Sequence, residues 1–236
     1  MADGIYIGMC GAVARGEQLD SIADNLANAQ TPGFKASRPA FEVFMAPSGA
    51  EDKQYAAAVA TAFDLRPGPT TQTGNPLDVL PADGAFLAVR GQDGQAAFTR
   101  DGRLTLDGAR RLVSGAGKLV LDRQGNPIAV PPEKTPAIDA NGRVTAGDIQ
   151  LGQLALFRLQ GPVDRIGPST LKPGQGGQAV PVETTVRTGE VELGNSSALE
   201  ATLAMVTAQR SYDTSMQAIQ TYRQLDQRAA ELGRTR

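Results

Sequence analysis

Histidine and tryptophan are absent from the 236 residues, cysteine occurs once, and aromatic side chains make up only 5% of the chain. The missing histidine excludes Ser-His-Asp and Cys-His nucleophile systems, His-ligated zinc and any histidine general base. Cys10, standing alone, can form neither an internal disulfide nor a thiolate metal cluster. It reads as a small apolar residue on a helix, because no cation flanks it closely enough to activate a thiolate. A net charge of −2 lacks the basic excess that accompanies nucleic-acid binding. The longest largely apolar run, Ala56–Phe63, falls far short of the about 20 residues that a membrane helix needs. The opening Met-Ala-Asp-Gly-Ile has no basic stretch followed by an apolar block. Neither a cleaved secretory leader nor a lipid anchor is therefore expected, and the chain is expected to start in the cytosol. What is present, 41% apolar residues over this length, is ample for a packed core.

Proline divides the chain. All fifteen prolines lie between Pro32 and Pro181, and proline costs about 3 kcal/mol inside a helix, so long helices are permitted at the two ends. Asn195 to Leu232 contains neither Gly nor Pro, enough for a rod of about 57 Å at ~1.5 Å per residue. Ser197-Ala198-Leu199-Glu200 fits a capping box at its start. Ala198, Ala201, Met205, Ala208, Tyr212, Ser215, Ile219 and Tyr222 then recur at alternating spacings of three and four, a narrow seam of coiled-coil type. Gln209, Arg210, Asp213, Gln217 and Gln220 fall on the opposite face.

At the other end Ile5, Ala12, Leu19 and Leu26 repeat every seven residues, with Gly8, Ile22 and Ala29 as companions and Arg15 interrupting that second row. This helix should stop near Ala29–Thr31, because Pro32 pushes Thr31 out of helical space and Gly33 follows. It also holds Gly4, Gly8, Gly11 and Gly16. At about 1 kcal/mol each these make a free-standing helix improbable. The expectation is a segment disordered in the monomer, whose glycines allow another backbone to come close on assembly. Two narrow seams at opposite ends of one chain point to helices that pack together or into an assembly.

The middle has a β texture. Gly84–Gly91, Gln95–Asp107, Arg111–Leu121, Pro127–Val130 and Gly152–Leu159 read as strands. Asp101-Gly102 and Asn141-Gly142 read as hairpin turns. In the last strand Leu154, Leu156 and Arg158 share one face, and Ala155, Phe157 and Leu159 the other. Pro39–Thr73 and Gln160–Val180 read as Gly/Pro-rich connectors, and no tandem repeat of 20–50 residues is visible. The fold class is therefore α+β, with a mainly-β central domain inserted between long N- and C-terminal helices that pair as a coiled coil. The expected division is a terminal helical domain of residues 1–34 plus 195–236, a connector over 35–73 and a β-rich outer domain over 74–194.

Several fragments invite an enzyme reading. Gly115-Ala116-Gly117-Lys118 resembles the end of a phosphate loop, but Leu112 stands where a glycine is needed and Leu119 replaces Ser/Thr. Gly174–Ala179 matches a loose dinucleotide pattern, yet Pro181 follows and no helix N-terminus is available for a pyrophosphate. Asp20 and Asp24 fit a solvated helix face. Glu183, Glu190 and Glu192 could serve glycoside hydrolysis only if they converged across a cleft, which would also want aromatic platforms. Asn195-Ser196-Ser197 is a formal glycosylation sequon that coincides with the helix cap. No cofactor or metal is implied.

Leu19 through Asn25-Leu26-Ala27-Asn28-Ala29-Gln30-Thr31-Pro32-Gly33-Phe34-Lys35 resembles the N-terminal signature of bacterial flagellar rod and hook proteins. Ala198-Leu199-Glu200 through Met205 and Ala208-Gln209-Arg210-Ser211-Tyr212 resembles the second signature of that family. Gly74–Val79, Asp83–Val89 and Phe98–Gly102 are similar to its central β-domain. The opening Gly4–Met9 and the modest length are more similar to the family's proximal-rod F-type subunits than to distal-rod or hook proteins, while Ala85 and Cys10 depart from the pattern. The resemblance implies a non-enzymatic subunit of the basal-body rod. Such a subunit leaves the cytoplasm unfolded through the flagellar type III export apparatus and polymerises through its terminal helices to transmit motor torque. Its implied partners are other rod subunits and further copies of the same chain, with no nucleic acid. The implied assembly residues are Ile5, Ala12, Leu19, Ile22, Asn25, Leu26, Asn28, Pro32, Gly33 and Phe34 at one end. Met205, Gln209, Arg210, Tyr212, Ile219 and Tyr222 are their counterparts at the other. A distal-rod or hook subunit, a carboxylate-dependent cell-wall hydrolase and a monomeric binding module are the competing readings.

Overall fold

The computed structural model describes the backbone of residues 2–45 and 54–234, and their side chains except at 2–8, 39–45, 54–61, 226 and 229–234. The chain opens with helix α1 (Ala2–Ala27) and a hairpin of β1 (Ser37–Met45) and β2 (Gln54–Phe63). Short strands follow: β3 (Thr70–Gln72), β4 (Val79–Pro81), β5 (Phe86–Arg90), β6 (Ala96–Thr99), β7 (Leu104–Leu106) and β8 (Leu112–Ser114). Next come β9 (Pro136–Ile138), β10 (Arg143–Ala146), β11 (Ile149–Gln153) and β12 (Leu156–Gln160). The last are β13 (Val163–Gly167), β14 (Thr170–Pro173), β15 (Gln178–Pro181), β16 (Val186–Thr188) and β17 (Glu190–Glu192), before helix α2 (Ala198–Arg234) closes the chain. The layout is α+β, mainly β between two terminal helices.

The described chain forms two compact units. One joins residues 1–27, 37–62 and 197–236; the other joins 28–36 and 63–196. In the first, α1 packs along α2 and against β1. At 1.5 Å per residue α1 runs about 39 Å and α2 about 56 Å. Ser197 caps α2: its hydroxyl accepts the Glu200 backbone N–H at 3.4 Å and its carbonyl accepts that of Ala201 at 2.9 Å. The segment expected from its glycines to be disordered in the monomer is a continuous 26-residue helix, because packing against α2 and β1 supplies what propensity lacks. The glycines are not close-approach points within the chain at Gly11 and Gly16, where an added Cβ would meet nothing within 4 Å.

The second unit is built on a six-stranded antiparallel sheet in the order β13-β14-β6-β5-β12-β15. Alternation along β5 sends Leu87 and Val89 to one face and Phe86 and Ala88 to the other. Leu154 and Leu156 join the first cluster, and Ala155, Phe157 and Leu159 the second, as alternation predicts. The sheet is therefore buried on both sides. Leu104, Leu112, Val120, Ile128 and Val144 thicken the first layer, and Phe98 and Leu171 the second.

Several local expectations are corrected. The stretch expected as a connector over 35–73 carries β1, β2 and β3, and Gln160–Val180 carries β13, β14 and most of β15. Gly161, Gly167 and Pro173 there mark strand ends and a tight turn rather than long coil. Gly152–Leu159 is two strands, not one, broken at Leu154–Ala155. Asp101-Gly102 is not a hairpin turn: β6 pairs with β5 and β14, whereas β7 pairs with β8. There the chain crosses between sheets, with the Val79 N–H donating to the Gly102 carbonyl at 2.9 Å. Asn141-Gly142 does close the β9–β10 hairpin. Its turn belongs to a short recurring design. Asp107, Asp122 and Asp139 each accept the N–H groups two and four residues on, and the residue three on is left-handed in each: Arg110, Gly125 and Gly142. Arg110 holds that conformation while its guanidinium donates to the Lys134 carbonyl at 2.6 Å.

Candidate functional site

The signature residues divide between the two units at the end of α1. On α1, Ala12 is buried and Leu19, Ile22, Asn25 and Leu26 are half-buried; Ile5 lies on the helix with its side chain outside the described residues. On α2, Ala201, Ala208 and Ile219 are buried and Met205, Tyr212 and Ser215 half-buried, whereas Ala198, the first residue of the seam read from spacing, is exposed. Tyr222 is 44% exposed, and Gln209 and Arg210 face solvent. Asn25 acts locally. Its side chain donates to the Ser37 carbonyl and accepts the Ser37 N–H, both at 2.8 Å. Ser21 and Ser37 hydroxyls lie 2.7 Å apart beside it. Together they pin the start of β1 to α1.

A second apolar stripe occupies the far side of α2. Leu199 is 73% exposed and Leu203 62%, and Val206 completes a run at spacings of four and three. On α1, Met9 and Val13 are exposed, and Cys10 is an exposed thiol rather than a packed one. In the sequence the outer face of α2 reads as polar, because Arg210, Asp213 and Gln217 dominate its later turns.

Asn28, Pro32, Gly33 and Phe34 belong to the β-rich unit, where residues 28–36 are clamped by the segment preceding α2. Thr31 donates its N–H to the Asn28 carbonyl at 2.9 Å, closing the turn after the helix. Gly33 has φ +70°, and a Cβ there would overlap the Asp101 backbone nitrogen, so only glycine fits. Its N–H donates to the Glu192 carbonyl at 2.9 Å, and the Asn195 N–H donates to the Phe34 carbonyl at 3.3 Å. Asn195 also accepts the Ala36 N–H at 2.7 Å and donates to the Asp64 and Arg66 carbonyls at 2.7 and 3.0 Å. Phe34 is fully buried, with the Arg165 guanidinium 4.4 Å from its ring centre and 4.7 Å from that of Phe63. Arg165 also donates to the Lys35 carbonyl.

Beneath this clamp lies a buried ion triad. Glu192, fully buried, accepts the Lys35 ammonium on Oε1 at 2.6 Å and the Arg100 guanidinium on Oε2, where the Nε contact is 2.9 Å. Gly68 adds its N–H to Oε1 at 3.1 Å; Lys35 donates also to the Arg66 carbonyl at 2.7 Å, and Arg100 to the Pro81 and Ala85 carbonyls. Every charged head is thus matched, the condition under which buried charge is tolerated. Burial would raise the Glu192 pKa, but hydrogen bonds and charge from Arg100, then Lys35, outweigh it and hold the carboxyl below its ordinary range. Burial lowers the Lys35 pKa, with Glu192 opposing. Arg100, Glu192, Arg165 and Asn195 do not stand out in the sequence as a group, because nothing local shows that residues so far apart share one pocket. A lysine directly after Gly-Phe is the available hint.

The carboxylates weighed for hydrolysis do not converge. Glu192 serves the triad, Glu183 pairs with Arg123 at 3.0 Å and Glu190 with Arg187 at 3.2 Å. A cavity of about 340 Å³ in the β-rich unit is lined by Arg123, Leu156, Phe157, Val182 and Glu183, with a single carboxylate. Gly115–Lys118 forms the tight turn after β8, with the Gly117 N–H donating to the Ser114 carbonyl at 2.8 Å.

Three family models match the chain in order. Residues 5–35 match the flagella basal body rod protein, 83–146 the flagellar hook protein FlgE/F/G D1 domain and 187–232 the flagellar basal body rod FlgEFG protein C-terminal. The two terminal matches meet at the clamp. The chain belongs to the flagellar basal-body rod family. Within it, the chain is 29% identical to flagellar basal-body rod protein FlgF of Mesorhizobium japonicum, covering 90% of each. It is 26% identical to FlgF of Caulobacter vibrioides, covering 98% of each. FlgG of Borreliella burgdorferi is 28% identical over 94% of this chain and 95% of its own length. Rod-family proteins are structural, and among the described residues no helix is long and apolar enough to cross a membrane.

Proposed function

We propose that the chain is an axial subunit of the proximal rod, similar to FlgF, that polymerises through α1 and α2 and carries torque from the motor. The two helices would pair as a coiled coil and join those of neighbouring subunits in an inner tube. The β-rich residues would form an outer layer. Its place is the basal body of the flagellum, reached through the type III export apparatus, and its partners are other rod subunits and further copies of the same chain. The observation that carries this reading is the apolar stripe Leu199, Leu203 and Val206. It stands on the side of α2 away from the buried seam residues Ala201, Ala208 and Ile219. A helix apolar on two sides needs a second partner. The work is mechanical: interiors at native density resist shear because repacking them is costly.

The test is incorporation. Leu203→Asp, on the outer stripe, should leave the chain folded and absent from purified basal bodies, with swimming lost. Ile219→Asp, on the inner seam, should also block incorporation while the β-rich unit stays folded. A swimming strain whose basal bodies contain the Leu203→Asp chain at normal copy number would refute the reading.

A further inference from the structure

The buried triad has a property that its role as an anchor does not require. Its three charges come from distant parts of the chain: Glu192 lies 157 residues from Lys35 and 92 from Arg100. Lys35 and Arg100 repel one another, and Glu192 is the carboxylate between them. Nearby acids are already engaged, Asp64 by Arg66 and Asp101 by Arg103. A chain without a carboxylate at 192 would therefore have to bury two unmatched cations to dock residues 28–36. The backbone repeats this dependence. The N–H groups of Gly33 and Ala36 find their acceptors on Glu192 and Asn195, and the Phe34 carbonyl finds its donor on Asn195. Leaving such groups unpaired in a buried site is costly in its own right. The strand pairing of the six-stranded sheet has no such dependence, because all of its strands lie between Phe86 and Pro181; its link to the docked segment is the Arg165 side chain on β13.

We propose that Glu192 is a closure latch: residues 28–36 dock only when residues 190–195 dock with them, and the core sheet forms independently of both. The chain leaving α1 and the chain entering α2 meet at this point, where Gly194 lies against the Asn28 and Ala29 carbonyls. Closure thus brings the segment that follows α1 and the segment that precedes α2 together in one step. Its consequence for assembly rests on the rod reading: a subunit whose ends have not closed presents no fixed pair of helices to a neighbour. The closure itself is a property of the isolated chain.

Hydrogen exchange on the full-length chain tests it without any rod. Glu192→Gln keeps the shape and removes the charge. Amides of Gly33, Ala36 and Gly68 should lose protection together by about 100-fold or more, the size expected when one partner of a buried ion pair is lost. Leu87 and Leu159 in the sheet should keep theirs. Lys35→Met leaves the Arg100–Glu192 pair matched and should cost much less, within about tenfold. Adding Lys35→Met to Glu192→Gln should restore part of the lost protection. Asn195→Ala, which removes a neutral acceptor, should release residues 28–36 selectively. Unchanged protection at Gly33 and Ala36 in Glu192→Gln would overturn the latch. So would equal loss in the sheet, seen in both Glu192→Gln and Asn195→Ala. Either result would leave the incorporation test untouched.

Discussion

The two units reach stability by different routes. The β-rich unit buries a sheet on both faces, with Leu87, Val89, Leu104 and Leu112 fully enclosed. It seals its entry and exit with a matched ion triad. The helical unit has one thin seam of mostly small residues, Ala12 on α1 and Ala201, Ala208 and Ile219 on α2, and leaves Leu199, Leu203 and Val206 in solvent. A core closed on all sides is finished within one chain. A seam with apolar surface left over is not, and the proposed assembly through the helices rests on that difference.

The comparison can be broken most directly by truncating a core side chain. Leu87→Ala should cost the β-rich unit about 2–5 kcal/mol, read as a lowered denaturant midpoint. An unchanged midpoint would mean that the sheet is not the unit's core. Acid comes next. Glu192 has a folded pKa below its unfolded one, so the unfolded chain binds the extra proton. The contribution is present above the ordinary carboxylate range and lost as pH falls through the depressed folded value. Asp107, lowered chiefly by hydrogen bonds from Arg111, adds to the same acid limb. Stability measured against pH should therefore fall more gently below the carboxylate range in Glu192→Gln than in the wild type; an identical slope would separate the triad from the acid response.

The seam should respond less than the sheet. Ile219→Ala should cost about 2 kcal/mol, at the low end for such a truncation because a thin interface can relax into the space. Thermal melting followed by helix ellipticity would show it, and a cost equal to that of Leu87→Ala would erase the contrast between the units. The smallest effect is expected at Gly16, where added bulk meets nothing. Gly16→Ala should raise helix stability by about 1 kcal/mol. If the same variant is excluded from basal bodies, another chain comes close to that face only in the assembly.

Much of the helical unit was legible because periodicity is local. Residues three and four apart share a face whatever the rest of the chain does, so the seam from Ala201 to Ile219 could be read by counting. The Ser197 cap was visible for the same reason. The hairpin β1–β2 was not, since prolines and glycines in its neighbourhood read as coil until a partner strand is known. Asp101-Gly102 failed in the opposite way: a good hairpin sequence was overridden because Arg100 turns inward to Glu192 and the chain crosses to another sheet. The outer stripe was missed because its three apolar residues are outnumbered by polar ones further along the same face.

By itself, the sequence determined where helices could exist, that Ala201, Ala208 and Ile219 share one face of α2, and which alternating residues of the strands faced the same layer. It also excluded histidine chemistry and an internal disulfide. Only the tertiary structure decided which strands pair, that Lys35, Arg100 and Glu192 share one buried pocket, and which apolar residues of α2 are left uncovered. The physical reason is range. Helical and strand periodicity are set by neighbours a few residues away, whereas burial of a charge depends on partners up to 157 residues distant, which only the folded chain brings together.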